Sequence, residues 1–240
     1  MTDSHRLDYP HAGRVCRDQL FLPSATAKSA QPAGVLVLPE WWGLNAFAVE
    51  RARRLARLGF AALAVDLYGD GKVAADAAEA GALKDRMLAD PRVMARRVRA
   101  ALEALSSQAD PLRLGAIGYC LGGALALHAA RCGFPLRAVV SFHGVLDSHH
   151  PSRPGEIQAQ IAIFNGADDP LVTPASVAAF EAEMREAGAR FEIVSYPGVR
   201  HTFTDPQADE WARRYGLPLG YDRQADEDSW RRATALLSAM

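Results

Sequence analysis

Two patterns of hydrophobic and polar positions alternate along the chain: short continuous apolar runs, and longer segments with apolar residues at helical spacing. Continuous apolar runs of a few residues predict strands buried on both faces of a parallel sheet. A further segment, which ends before Pro197 and Gly198, also predicts a strand. The predicted strands are 35–38, 60–65, 114–118, 138–142, 161–164 and 190–196.

The segments between the strands have apolar residues at helical spacing. Segment 45–58 ends before Gly59, a natural helix stop. Pro91 divides a long alanine-rich region into two helices, because the residue before a proline disfavours helical geometry. Further helices are predicted at 121–130, 175–187, 208–215 and 227–239. This alternation predicts an α/β fold with a mostly parallel central sheet and helices on both faces.

Composition narrows the class of protein. We expect the 240 residues to form one domain, with residues 1–12 as a flexible N-terminal tail. The net charge of -1 argues against a nucleic acid or an anionic membrane as partner. No apolar run approaches the ~18 residues of a membrane span, and the first residues lack the apolar core of a secretory signal. Three cysteines, an odd and sparse number, fit a reducing compartment, so we expect a cytoplasmic protein.

A candidate nucleophile stands between a predicted strand and a predicted helix. Residues 118–122 read G-x-C-x-G, the thiol form of the nucleophile elbow of α/β-hydrolases. Such an elbow needs small neighbours on both sides, because larger side chains would collide with the adjacent strand and helix. The helix N-terminus favours a thiolate at Cys120, and the Leu121 amide would face a developing oxyanion.

A base and an orienting acid are expected further along the chain, in the order nucleophile, acid, histidine. Asp168 and Asp169 follow the strand 161–164 and compete for the role of the acid. His201 follows both the acids and the strand 190–196, which makes it the candidate base. His143 directly follows the strand 138–142 and is expected to line the pocket.

Cofactor and redox chemistry find little support in the sequence. His149 and His150 stand near His143, but their spacing matches no common zinc pattern, and we expect no metal and no organic cofactor. Cys132 lies twelve residues after Cys120 on the same predicted helix. At 1.5 Å per residue it would be about 18 Å away, too far to act as a resolving thiol.

These residues resemble the dienelactone hydrolase family. The similar segment runs from about Leu36 to Phe203, and the C-terminal region is also similar. The blocks are P-E-W-W-G-L-N at 39–45, D-L-Y at 66–68, G-Y-C-L-G-G at 118–123, G-A-D-D-P-L-V at 166–172 and Y-P-G-V-R-H at 196–201. The resemblance implies an α/β-hydrolase fold and the opening of lactone or ester bonds by a Cys-His-Asp set.

The resemblance also assigns roles to single residues. It implies a nucleophile at Cys120, a base at His201, an orienting acid at Asp169, a thiol-interacting carboxylate at Glu40 and an oxyanion-binding amide at Trp41, beside that of Leu121. A buried carboxylate near a thiol can keep it protonated or accept its proton. The other interpretation of Glu40 is a salt bridge to a nearby arginine.

The substrate pocket departs from the family pattern. We expect it to be lined by Trp42, Tyr68, His143, Phe203 and Asp205. The family has substrate-binding arginines four residues after the histidine and after the D-L-Y block, where this chain has Asp205 and the Gly-Asp-Gly of 69–71. Acidic groups there would repel an anionic dienelactone. A cation could come from Arg153 or Arg200 instead.

The sequence therefore predicts a hydrolase that cleaves a small lactone or carboxylic ester through a thioester on Cys120. A general esterase or thioesterase of the same fold, acting on a neutral substrate, is the alternative. A non-catalytic binding protein with the same pocket is a third hypothesis. The expected partner is a small molecule, and the oligomeric state stays open between monomer and homodimer.

Overall fold

One sheet organises the molecule. The computed structural model describes residues 3–24, 31–148 and 150–240. The strands found there are β1 (Asp3–His11), β2 (Arg14–Leu22), β3 (Ala33–Leu38), β4 (Ala61–Ala64), β5 (Asp110–Tyr119), β6 (Ala138–Phe142), β7 (Gln160–Gly166) and β8 (Arg190–Tyr196). Their order in the sheet is β1-β2-β4-β3-β5-β6-β7-β8. The pairs β1–β2 and β2–β4 are antiparallel, and the other pairs are parallel.

Helices cover both faces of this sheet. They are α1 (Ala46–Arg57), α2 (Ala77–Leu88), α3 (Pro91–Ser106), α4 (Leu121–Arg131), α5 (Pro174–Glu186), α6 (Ala208–Tyr215) and α7 (Arg223–Ser238). One core cluster contains residues of α3, α4 and α5, and the other contains residues of α1 and α7. The predicted α/β architecture is thereby confirmed.

Strand β3 shows why the parallel strands are apolar throughout. Leu36 and Leu38 belong to the cluster on one face, whereas Val35 and Val37 belong to the cluster on the other. Successive side chains of a strand point to opposite faces, so a strand covered by helices on both sides has no solvent-facing position.

The N-terminus corrects the sequence prediction. Residues 3–11, expected to belong to a flexible tail, form β1 and pair with β2 along their whole length. Ala12 and Gly13 close the hairpin with φ of 50° and 76°, as a two-residue turn of this kind requires. The polar sequence of β1 gives no strand signal. The strand is stabilised instead by pairing with β2 and by contacts such as the 2.8 Å hydrogen bond from the Tyr9 hydroxyl to Asp18. Met1 and Thr2 lie outside the described residues.

The carboxyl ends of the parallel strands meet at one edge of the sheet, where open α/β folds place their sites. Each of five strands is followed there by a residue singled out in the sequence. The pairs are β3 with Glu40, β5 with Cys120, β6 with His143, β7 with Asp169 and β8 with His201.

Candidate active site

Cys120 occupies a sharp turn between β5 and α4. Its backbone has φ 50° and ψ −113°, in the left-handed half of φ space that non-glycine residues rarely occupy. Its N–H is shared between the carbonyl oxygen of Phe142 at 3.0 Å and Nδ1 of His143 at 3.2 Å. The strained turn leaves the Cys120 side chain half-buried at a cavity wall, directly before the first turn of α4.

The glycines around Cys120 are required by close backbone approach. A Cβ on Gly118 would lie 2.0 Å from the carbonyl oxygen of Gly122. A Cβ on Gly122 would lie 2.1 Å from the carbonyl oxygen of Leu38, at the end of β3. The predicted need for small residues at 118 and 122 is therefore confirmed. The absence of these side chains also lets the end of β3 approach the start of α4.

His201 and Asp169 form a buried pair. Nδ1 of His201 donates to Oδ2 of Asp169 at 2.6 Å, and the other carboxylate oxygen accepts from the Leu171 amide at 2.8 Å. Asp168, the competing acid, is exposed. Of the two candidates the sequence left open, Asp169 is thus the one that contacts the histidine.

The electrostatics of His201 depend on its two neighbours. Burial alone lowers the pKa of this imidazole, but the negative charges of Cys120 and Asp169 overcome that effect and raise the pKa to about 10. Nε2 of His201 is buried and has no hydrogen-bond partner among the described residues. Both His201 and Cys120 line the same cavity. Nε2 is thus the unpaired nitrogen of a histidine that lines the cavity together with the thiol.

Glu40 is a buried carboxylate without an ion pair among the described residues. It is 2% exposed, and neither carboxylate oxygen has a hydrogen-bond partner within the described part of the chain. Burial and the nearby Asp205 raise the pKa of Glu40 to about 8. The salt-bridge interpretation does not hold for the buried Arg51, which pairs with Asp226 at 2.6 Å instead.

Asp205 lies beneath the site and not in the substrate pocket. It is 1% exposed, does not line the cavity, and accepts a 2.8 Å hydrogen bond from the Gln207 amide. Burial raises its pKa to about 6. Asp70 is also outside the cavity, in an exposed pair with Arg14 at 3.0 Å. The prediction that Asp205 lines the substrate pocket is therefore wrong, and its charge acts on the buried Glu40 instead of contacting a substrate.

His143 supports the site from behind. It is fully buried, has φ 42°, and its Nδ1 accepts from the Cys120 amide. Burial lowers its pKa well below 6.5, so the ring is neutral and its remaining proton is on Nε2, which donates to Oγ1 of Thr204 at 2.8 Å. Its ring packs edge-on against His201, with centroids 5.1 Å apart. The prediction that His143 lines the pocket is wrong, because it contacts both candidate catalytic residues from the protein side.

A cavity of about 870 Å³ opens on Cys120 and His201. Trp41 and Leu121, the two predicted oxyanion donors, stand on its wall. The other predicted wall residues do not. Trp42 packs against Trp211 and Tyr215, Tyr68 donates to the Trp41 carbonyl oxygen at 2.7 Å, and Phe203 lies in the core. These predictions failed because aromatic residues near a site also fill the packing behind it.

Much of the wall was missed in the sequence. It comes from one face of α4, from α2 and α3, and from residues 217–219. The α4 face is visible in the sequence as helical spacing, but the spacing alone does not say what the face contacts. Arg153 and Arg200, the suggested replacement cations, do not line the cavity.

Comparison with known proteins identifies the family of this chain. The model of the dienelactone hydrolase family matches residues 22–240. The chain belongs to the dienelactone hydrolase family. As a member, the protein is a hydrolase of lactones or carboxylic esters, and its substrate is a small molecule. Among the described residues, no helix has the length and apolar character to cross a bilayer, and no group of three or more His, Cys, Asp or Glu is arranged to bind a metal. His149 lies outside the described residues.

Individual relatives and solved structures match this chain over lengths that differ from one to the next. The structure of a dienelactone hydrolase-like promiscuous phosphotriesterase from metagenomic libraries is 38% identical, with TM-score 0.89, over 99% of this chain and 98% of that one. A Bradyrhizobium protein named "Probable 2-oxo-3-(5-oxofuran-2-ylidene)propanoate lactonase" is 27% identical over 88% of this chain and 89% of its own length. A Caenorhabditis elegans protein is 38% identical over 56% of this chain and 86% of its own length.

Proposed function

We propose that the protein hydrolyses a carboxylic ester or lactone through a thioester on Cys120, with His201 as base and Asp169 as the group that orients it. The observation that carries the proposal is the arrangement at the cavity wall. Cys120 and His201 both line the cavity, Nε2 of His201 has no hydrogen-bond partner among the described residues, and Asp169 holds Nδ1 from the buried side at 2.6 Å.

The first half-reaction forms the thioester. The Cys120 thiolate attacks the carbonyl carbon, and the Leu121 and Trp41 amides stabilise the oxyanion. When the tetrahedral intermediate collapses, the bond to the leaving oxygen breaks. Protonated His201 donates its proton from Nε2 to that oxygen. The raised pKa of His201 supports this step, because the imidazole holds a proton at neutral pH.

The second half-reaction regenerates the enzyme. Neutral His201 accepts a proton from water as the water oxygen attacks the thioester carbonyl, and the Cys120 thiolate leaves. The carboxylic acid product then departs. Glu40 is proposed to hold a proton near the thiol in the resting enzyme, in keeping with its buried, unpaired carboxyl group and raised pKa.

A substrate panel tests this proposal. It contains an anionic dienelactone, neutral lactones and short p-nitrophenyl esters, each assayed with the wild type, Cys120→Ala and Cys132→Ala. Cys132 is the matched control, since it is a second half-buried thiol about 18 Å along α4 from Cys120, beyond the length of these short substrates. We expect Cys120→Ala to lose hydrolysis of every substrate and Cys132→Ala to keep it. Full turnover by a folded Cys120→Ala variant would overturn the assignment.

Phosphotriester hydrolysis is a second candidate activity. It is favoured by the likeness to the metagenomic phosphotriesterase, which extends over 99% of this chain. An aryl dialkyl phosphate added to the same panel tests it, with release of the phenol as the readout. Release by the wild type and none by Cys120→Ala would support a shared nucleophile.

A further inference from the structure

The cavity extends well beyond the space that a small lactone needs. Its volume of about 870 Å³ is near the upper end of the ~300–1,000 Å³ typical of pockets for drug-sized ligands. One wall is formed by Leu121, Ala124, Leu125, His128 and Cys132, which we call the α4 trough. Positions 121, 124, 125, 128 and 132 have the i, i+3, i+4, i+7, i+11 spacing of one helix face.

The α4 trough has a defined direction and length. It begins beside Cys120 and continues to Cys132, at the other end of the helix. Twelve residues at 1.5 Å each make this distance about 18 Å. A ligand bound along the whole trough would therefore be long and narrow, with its reactive group at one end.

Other elements add apolar residues to the wall of the cavity. It contains Leu88 of α2, Met94 and Ala95 of α3, and Val145 and Leu171 from loops. Leu88 and Leu171 are 43% and 47% exposed, high values for large apolar side chains. Apolar surface that is open to solvent inside a concave site is typical of ligand-binding pockets.

Among the described residues, the polar side chains inside the cavity carry no unpaired charge. Arg131 is fully buried and neutralised by Glu183 through two hydrogen bonds of 2.9 and 2.8 Å. At the far end, Sγ of Cys132 lies 3.5 Å from Nε2 of His128, and burial raises the pKa of the thiol and lowers that of the imidazole. Both groups are thus uncharged at neutral pH.

Most of the other titratable residues of the wall are open to solvent. Arg92, Asp147 and His150 line the cavity and are exposed. Lys84 is paired with Asp85 at 2.9 Å. A long ligand in the trough would therefore meet apolar surface along its length and charge only near solvent.

We infer that the α4 trough binds an extended apolar chain of the substrate, so that the enzyme acts on esters of medium or long alkyl or acyl groups. This inference rests on the proposed esterase function. Burying each methylene group is worth about 0.8 kcal/mol, which is up to about fourfold in kcat/KM. We expect kcat/KM to rise by about tenfold or more from acetate to octanoate, since part of the gain is lost to ordering the chain.

Variants that fill the trough test the inference. Ala124→Phe adds bulk to the cavity from α4, and Ala95→Phe adds bulk from α3. Each should lower the octanoate-to-acetate ratio of kcat/KM by about tenfold, the value of a few methylene groups. Ala179→Phe is the matched control, because Ala179 is exposed on α5 and lies outside the cavity.

The assay uses p-nitrophenyl acetate, butyrate, octanoate and dodecanoate, together with ethyl to octyl acetates. A chain-length preference in either series that both filling variants abolish supports the inference. The inference is overturned if the wild type hydrolyses acetate but its kcat/KM falls for acyl chains longer than butyrate and for alkyl chains longer than ethyl. That result would leave the proposed esterase function in place.

Calorimetry of octanol with Cys120→Ala, and with the same variant carrying Ala124→Phe, separates the two proposals. If octanol binds to Cys120→Ala and binds more weakly when Ala124→Phe is added, the result supports the α4 trough even if no ester is hydrolysed. Absence of octanol binding to the folded Cys120→Ala protein overturns the inference whatever the hydrolysis results.

Discussion

Replacing Cys120 with alanine is expected to change the charge of a second residue, His201. Burial lowers the pKa of this imidazole, and its rise to about 10 depends first on the negative charge of Cys120 and then on Asp169. A rise from 6.5 to about 10 corresponds to about 5 kcal/mol in favour of the imidazolium, at 1.36 kcal/mol for each pH unit. The thiolate must supply much of that energy.

The size of the effect follows from Coulomb's law. Two unit charges about 4 Å apart interact by about 4 kcal/mol at the effective dielectric constant of ~20 that suits protein sites. A neighbouring charge at such a distance is worth up to about 3 pH units, so removing it at Cys120 should lower the pKa of His201 by an amount of that order. Burial and the hydrogen bond to Asp169 remain in the variant, so the geometry of the ring is expected to persist.

The assay is an NMR titration of the imidazole nitrogens in wild type, Cys120→Ala and Cys132→Ala. The His201 resonances should titrate at clearly lower pH in Cys120→Ala than in wild type. Cys132→Ala is the control, because this thiol is at the other end of α4 and contacts His128. Its loss should move the His128 resonances and leave His201 unchanged. Equal His201 pKa values in wild type and Cys120→Ala would refute the ion-pair explanation.

Three further predictions concern the acid, the elbow and the buried carboxylate. Asp169→Asn should lower kcat by about 10³- to 10⁴-fold, because the amide favours the wrong imidazole tautomer, whereas the exposed Asp168→Asn should retain activity; equal losses would contradict this assignment. Gly122→Ala should lower the urea midpoint sharply, since its Cβ would lie 2.1 Å from a β3 carbonyl oxygen, while Gly81→Ala in α2 should be neutral or stabilising; a wild-type midpoint for Gly122→Ala would disprove the packing argument. Because folding raises the pKa of Glu40 from 4.5 to about 8, its ionisation in the unfolded chain weakens the fold as pH rises through that interval. Glu40→Gln should therefore gain stability relative to wild type between about pH 5 and 8, measured by urea unfolding; a difference independent of pH would count against it.

Local sequence is sufficient to predict a structural feature when the physical constraint on that feature is itself local. The parallel strands are apolar because both their faces are covered, and the bounds of β8 and α6 agree with their predicted ranges. In the G-x-C-x-G turn the constraint on Gly118 is equally local, since its Cβ would meet the Gly122 carbonyl oxygen, whereas the constraint on Gly122 comes from Leu38 of β3. The order of nucleophile, acid and histidine then narrowed the acid to two neighbouring aspartates.

Contacts between segments far apart in the chain could not be predicted from the sequence. Arg51 pairs with Asp226, 175 residues away, and leaves Glu40 without the salt bridge that one interpretation gave it. His143 was recognised as a site residue, but its contacts with the Cys120 amide and with Thr204 follow from how β5, β6 and the loop after β8 meet.

The sequence by itself determined the family, the strand and helix pattern, and the residues that follow each strand at the active edge. Only the tertiary structure decided which of them face the cavity and which lie behind it. Asp205 is the clearest case, because its position in the chain suggested a substrate contact and its burial makes it a neighbour of Glu40. The physical reason is that strand order brings side chains to one edge, while the direction each one faces depends on the packing of segments far apart in the chain.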